Sequence, residues 1–215
     1  MIPIDCLSCL DGLLWLRTQE QVARKMHLAQ SSVSRNAKRC CEVFGVRLVK
    51  IGQEYHLDGD LTLLHMERDV HQYYEWNAPV ALRIDGQLDV HSVLREQNED
   101  EWVAGNFDYA EMEQPLKLLR RGIVDVWITQ SERIPAEHDH ELASVALLPG
   151  ERGEQLLVRR RYVDHPRFLI LREELSARLA LAGNPAPQGL FSAATSRTIG
   201  TDQRPRHGAP DRLSG

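Results

Sequence analysis

The side chains of Gln30, Ser31, Ser32, Ser34, Arg35, Lys38 and Arg39 combine the two kinds of group that contact with a nucleic acid requires. Short hydroxyl and amide groups exchange hydrogen bonds with base edges, while guanidinium and ammonium groups neutralise phosphates. Their spacing matters as much as their type. Val33, Ala37, Cys40 or Cys41, and Phe44 recur between them at helical intervals, so the polar set is left on the outer face of an amphipathic helix. The short groups lie at the front of that helix, where Gln30 can address adenine, and Lys38 lies behind them, nearer the backbone.

Such a helix needs a partner to hold it. Thr18 followed by Gln21 predicts a capping box, opening a short helix whose apolar stripe is Val22, Ala23 and Met26. That helix stops near His27, and Leu28 suits a buried turn position, which completes a helix-turn-helix. Beyond Gly45, residues 47–51 and 54–57 alternate around Gly52 and Gln53, the pattern of a small hairpin. Ahead of the motif, residues 5–16 form an apolar helix containing Cys6 and Cys9. A C-x-x-C followed by Cys40 and Cys41 suggests metal, but i,i+3 cysteines in an apolar helix and adjacent cysteines pointing about 100° apart do not form one tetrahedral site. Buried apolar packing is the expectation, with no metal and no cofactor.

The run of Leu, Ala, Gln, Ser, Ser, Val, Ser and Arg from Leu28 to Arg35, continued by Phe44, Gly45, Val46, Arg47 and Leu48, resembles the N-terminal domain of LysR-type transcriptional regulators. The resemblance spans residues 7–58 and fades afterwards. It implies a winged helix-turn-helix that reads double-stranded DNA. Ala29 departs from the pattern, because the family usually places Ser there as the helix cap, which leaves Ser31 or a bare N-terminus to meet the first amides.

Charge is divided along the chain in a way that fits this implication. The net charge is −5, yet residues 1–59 hold eight Lys or Arg against six Asp or Glu, and residues 60–215 hold eighteen against twenty-five. Positive potential is therefore concentrated where phosphate contact is expected. With 42% hydrophobic residues, no apolar run near 20 residues and no signal-like segment, the expectation is a cytoplasmic protein without a membrane span.

After the hairpin, residues 60–76 read as one helix with Leu63, Met66, Val70 and Tyr73 spaced three, four and three apart, an a/d seam. The resembling family has a dimerising linker helix at this point, which implies a homodimer or higher homo-oligomer. Residues 80–84 and 123–128 read as strands, 90–97 and 108–121 as helices, and 155–161 as a further strand, implying a parallel α/β unit. The stretch from Leu118 to Thr129 resembles the family's effector domain, a periplasmic-binding-protein-like fold. Gly86, Leu88 and Thr129 are then the effector-binding candidates, but only one of the two halves that enclose a ligand is convincingly present. No tightly bound small effector is expected, unless residues 151–178 form a miniature second half.

The expected fold class is thus α+β and multidomain: a winged helix-turn-helix (1–59), a linker and dimerisation helix (60–78), a partial α/β regulatory domain (79–182) and a Gly-, Pro-, Ser- and Arg-rich disordered tail (183–215). No nucleophile elbow, phosphate loop or dinucleotide fingerprint is present, so an enzyme is not expected. Two functions remain: a dimeric sequence-specific regulator, and a non-catalytic scaffold whose winged helix contacts a protein partner.

Overall fold

A computed structural model describes residues 2–86, 101–109, 112–130, 140–147 and 154–182. The fold is α+β. Helix α1 (Ile4–Leu16) is buried on nearly every side, as a helix apolar all round must be. Gly12 sits where α2 (Gln19–Lys25) crosses it: a Cβ there would lie 2.9 Å from Val22 Cγ1 and from Met26 Cε, so only glycine admits this approach. Thr18 Oγ1 accepts from the Gln21 amide at 3.2 Å. The second half of the expected capping box is not made, because Gln21 Oε1 accepts from Asn106 Nδ2 at 2.9 Å instead.

Helix α3 (Gln30–Phe44) begins at Ala29 with no side-chain cap, the bare N-terminus that Ala29 implied. It ends at Gly45, whose φ of 66° lets its N–H turn back to Cys41 and Glu42 carbonyls. Strands β1 (Arg47–Ile51) and β2 (Glu54–Asp58) form the expected antiparallel hairpin, with Ile51 opposite Glu54 and Gly52 at φ 62° in the turn.

Helix α4 (Thr62–Asn77) follows, with Asp60 accepting from the Thr62 amide at 3.0 Å. The second sheet has the order β4 (Trp102–Ala104), β3 (Leu82–Gly86), β5 (Val126–Gln130), β7 (Glu154–Arg159) and β6 (Leu142–Ala146). β3 runs parallel to β4 and β5, whereas β5, β7 and β6 are antiparallel neighbours. One sheet face carries Leu82, Ile84, Val126, Ile128, Leu156 and Val158 against α6 (Pro166–Ala182), through Phe168, Leu171 and Leu175. The opposite face carries Trp127 and Leu157, in one apolar cluster with α5 (Glu113–Arg120) and the core of α1 to α3.

Several sequence expectations shift for physical reasons. The helix expected over 108–121 spans only Glu113–Arg120, because Pro115 is tolerated in a first turn and not in a second. The strand expected at 80–84 lies two residues later, with Arg83 and Asp85 buried on one face and Leu82 and Ile84 on the other. Residues 154–182 do not build a second half: β7 inserts between β5 and β6, and α6 covers the same sheet. The expected helix at 90–97 and the tail from 183 lie outside the described residues.

The inner face of α4 joins these parts through polar groups as well as through Leu64 and Trp76. Arg68 is 1% exposed, and its Nε and Nη2 donate to Asp11 Oδ1 of α1 at 2.8 and 2.6 Å. One turn on, Gln72 donates to Asp125 Oδ1 at 2.9 Å, and Glu75 accepts from Arg83 Nη2 at 2.9 Å. At the C-terminal end of α4, Arg167 of α6 donates to the Glu75, Ala78 and Val80 carbonyls at 2.8 to 3.2 Å. Trp76 stacks on Tyr162 with centroids 4.6 Å apart. Removing one partner of a buried pair strands the other charge, so Arg68→Ala should lower the unfolding free energy by about 3 kcal/mol or more. Urea denaturation measures this, and an unchanged midpoint would show that the Asp11 pair does not secure α4.

Candidate nucleic-acid interface

The outer face of α3 is built by helical spacing alone. Ser31, Arg35, Lys38 and Glu42 follow each other at intervals of four, three and four residues and are all exposed, while Val33, Ala37, Cys40 and Cys41 are buried. Gln30 is exposed in the first turn. Arg35 is preorganised: its Nε donates to the Ser31 carbonyl at 3.1 Å and its Nη2 to Ser32 Oγ at 3.4 Å, holding the guanidinium along the first turns. Lys38 faces Glu42 at 3.7 Å across one turn, an exposed pair that contributes little.

Between α3 and the hairpin runs a groove of about 640 Å³, whose rim includes Gln19, Ser34, Lys38, Arg47, Val49 and Tyr55. Arg47 pairs across the hairpin with Asp58, and Lys50 lies over the Tyr55 ring at 5.3 Å. Of the seven residues expected to meet nucleic acid, Ser34 and Lys38 line this groove, and Gln30, Ser31 and Arg35 are exposed beside it. Ser32 is half-buried on the flank. Arg39 stands apart, lining a hollow of about 220 Å³ with Ile2, Pro3, Val43, Phe44 and Glu67. Sequence reasoning did not single out Gln19, Arg47 or Lys50; the signal was there in the two basic residues of the hairpin.

The helix-turn-helix is braced from the side by the loop after β4. Asp85 Oδ2 accepts from Trp15 Nε1 at 2.6 Å, and Tyr109 Oη donates to the Trp15 carbonyl at 2.7 Å. Arg17 pairs with Asp108 and lies 4.6 Å above the Tyr109 ring. Lys25 Nζ reaches the Gly105 carbonyl at 3.4 Å. Gly105 must be glycine, since a Cβ would lie 2.0 Å from Asp85 Oδ2. These contacts span the α1 C-terminus and α2, so α3 is oriented by the sheet module as well as by its own domain.

The other candidate sites look different in three dimensions. Gly86 and Thr129 are fully packed: a Cβ on Gly86 would meet the Ile128 carbonyl at 2.8 Å, and Thr129 Oγ1 lies 3.6 Å from Met112 Sδ. Leu88 lies outside the described residues. Leu63, Met66, Val70 and Tyr73 form one stripe on α4 and are 66, 62, 51 and 65% exposed. All four cysteines are free and buried, and burial pushes the Cys40 thiol up to about 12, which makes it unreactive. Among the described residues no helix is long and apolar enough to cross a membrane.

Three comparisons with known proteins bear on this geometry. No family model matches the chain, and no curated protein matches it. Among solved structures, a full-length OxyR variant from Pseudomonas aeruginosa aligns at 12% identity over 69% of this chain and 56% of that one, with a TM-score of 0.38. ArgP from Mycobacterium tuberculosis aligns at 15% identity over 68% of this chain and 53% of that one, with a TM-score of 0.32. VV2_1132, a LysR family transcriptional regulator, aligns at 12% identity over 69% and 59%, with a TM-score of 0.29. The chain spans little more than half the length of these structures, and superpositions this loose add nothing to what its own residues say.

The Asp85 contact has a pH signature. Burial raises this carboxyl to about 6, against the opposing effect of the Trp15 hydrogen bond and the Gly86 and Phe107 amides. A folded value above the unfolded one, near 3.9, means that the native state holds a proton which the unfolded chain has released. The stability this contributes is fully present below about pH 4 and is lost as pH rises through about 6. Urea midpoints at about pH 5 and pH 7.5 should therefore differ between the natural chain and Asp85→Asn, the variant losing this component of the slope. Comparing the two chains separates Asp85 from His65 and His165, whose values burial lowers and which act in the opposite direction. Parallel pH profiles would refute the assignment.

Proposed function

We propose that this chain is a sequence-specific, DNA-binding transcriptional regulator of the LysR type, acting as a cytoplasmic homodimer. The observation that carries the proposal is the uncovered outer face of α3, where Gln30, Ser31, Ser34, Arg35 and Lys38 stand exposed beside a hairpin that carries Arg47 and Lys50, while Val33, Ala37, Cys40 and Cys41 are buried beneath them. Among the described residues, nothing packs over that polar face. In a major groove, Ser31, Ser34 and Gln30 would meet base edges, Arg35 would release its local bonds for a base or phosphate, and Lys38, Arg47 and Lys50 would neutralise the backbone. Arg39, which lines the separate hollow with Glu67, is a backbone contact at most.

The exposed stripe of α4 supports the dimer. Four apolar side chains on one seam of a solvent-facing helix leave a continuous patch that a monomer has no use for, and a second copy apposed along it would set two α3 helices toward neighbouring half-sites. The reading includes no small effector at Gly86 and Thr129, which are closed by packing. Regulation then runs through dimerisation or a protein partner. A scaffold that uses the winged helix for protein contact would lack the salt dependence of phosphate neutralisation.

Titrating a footprinted genomic site should give an affinity that falls steeply with salt. Arg35→Ala should weaken it about tenfold, the loss of one good base contact. No change for Arg35→Ala combined with Ser34→Ala would remove α3 from the interface. Assembly is tested independently. Val70→Glu places an unpaired charge in the apolar seam, and sedimentation should show a monomer where the natural chain is dimeric, with DNA affinity reduced by loss of the second half-site. A natural chain that sediments as a monomer at tens of micromolar would overturn the dimer.

A further inference from the structure

The flank of α4 next to the α5–β5 junction carries a surplus of positive charge that the DNA-reading surface does not use. Arg159 Nη1 and Arg161 Nη2 converge on a single oxygen, Asp69 Oδ1, at 2.6 and 2.7 Å, and both also reach Gln72 Oε1, at 2.8 and 3.2 Å. One carboxylate thus serves two guanidiniums. Arg121, half-buried at the C-terminal end of α5, has no carboxylate partner among the described residues. The adjacent Gly122 packs against the cluster, where a Cβ would lie 3.1 Å from Gln72 Oε1 and 3.2 Å from Arg159 Nη1, and the Arg121 charge acts on His65 and Arg68 of the same α4 flank.

The interior of the cluster is also short of acceptors. Arg68 spends Nε and Nη2 on Asp11, but its Nη1 is buried with no partner, and one turn earlier His65 Nε2 is buried with none either. Burial, with the charges of Arg68 and Arg121, holds His65 below its ordinary value, so at neutral pH it is an uncharged imidazole. Burial and Arg68 likewise lower Arg121. Buried donors without acceptors, and cations gathered without enough anions, both cost stability, and one bound anion relieves both. With Arg68 neutralised by Asp11, the three arginines at 121, 159 and 161 exceed Asp69 by two charges, the charge of a phosphate dianion.

We infer that this cluster is a binding site for a phosphate-like oxyanion, held by Arg121 and Arg161 with Arg68 Nη1 as the inner donor. It lies between the helix that leaves the hairpin and the turn that enters β5, so an occupied site ties the DNA-reading part to the sheet module. The site is independent of the proposed DNA interface. Thermal unfolding of the full chain in inorganic phosphate, against sodium chloride at matched ionic strength, tests it. Phosphate at about 100 times its dissociation constant should raise Tm by about 5 °C beyond chloride. Glycerol phosphate in a parallel arm tells a phosphate ester from the free ion by the larger shift.

Arg121→Gln should abolish the phosphate-specific shift, and Arg161→Gln serves if the first variant does not fold. Arg35→Ala should keep it, since α3 is the other surface that can meet phosphate. Equal Tm in the two salts overturns the site. So does a phosphate shift that survives Arg121→Gln or Arg161→Gln, or one that disappears in Arg35→Ala. None of these outcomes depends on DNA binding, which the α3 variants report separately.

Discussion

The contact between Arg68 and Asp11 is the constraint on which the rest of this structure depends. It takes two full charges out of water, and in a low-dielectric interior such a pair survives only when its geometry is satisfied. Asp11 lies on α1, the central helix of the N-terminal helical part, and Arg68 lies on α4, which leads into the sheet. Arg83 on β3 stands 3.9 Å from Asp11 Oδ2 while bonding Glu75, and Asp125 accepts from both Gln72 and the Arg83 amide. Each group in this chain of contacts is buried because the next one satisfies it. Apolar surfaces could slide; these hydrogen bonds set one register between helix and sheet.

That register gives α4 two unlike faces. Toward the protein it presents Leu64, Arg68, His71, Gln72, Glu75 and Trp76, all buried, and away from it Leu63, Met66, Val70 and Tyr73, all exposed. Hydrophobic reasoning alone would bury the second set. The apolar stripe is outside because the polar set already has partners inside, and among the described residues nothing covers the stripe. On this helix Arg68, Gln72 and Glu75 are buried together with Leu64 and Trp76, and four hydrophobes face outward.

The brace between the sheet module and the helix-turn-helix has the same character. Asp85 reaches Trp15, Asn106 reaches Gln21, and Asp108 reaches Arg17, so the end of β3 and the loop after β4 grip α1 and α2 along one side and leave α3 free. In the resembling family a linker helix separates DNA-reading and effector domains. Here one apolar cluster runs from Cys6 and Val33 to Trp127 and Leu157. A change in the sheet module therefore reaches α2 through a handful of short contacts.

The amino-acid sequence by itself determined the elements whose causes are local. Helical spacing placed Val33, Ala37, Cys40 and Cys41 inward and Ser31, Arg35 and Lys38 outward, and Gly45 and Gly52 marked the turns that need positive φ; Ala29 left Ser31 or a bare N-terminus open, and the structure shows the bare one. Those rules act within about one or two turns, so the residues alone suffice. Only the tertiary structure decided what sits across from what. The strand read at residues 80–84 did not show that Arg83 and Asp85 are buried, which needs Glu75 and Trp15 opposite them from 8 and 70 residues away. The sequence left open a miniature second half in residues 151–178, and only the pairing of β7 between β5 and β6 places that segment's strand in the first sheet. Arg121, Arg159 and Arg161 are scattered charges until α4 gathers them. Burial of a charge depends on its partner, and partners far apart in the chain are chosen by the fold as a whole.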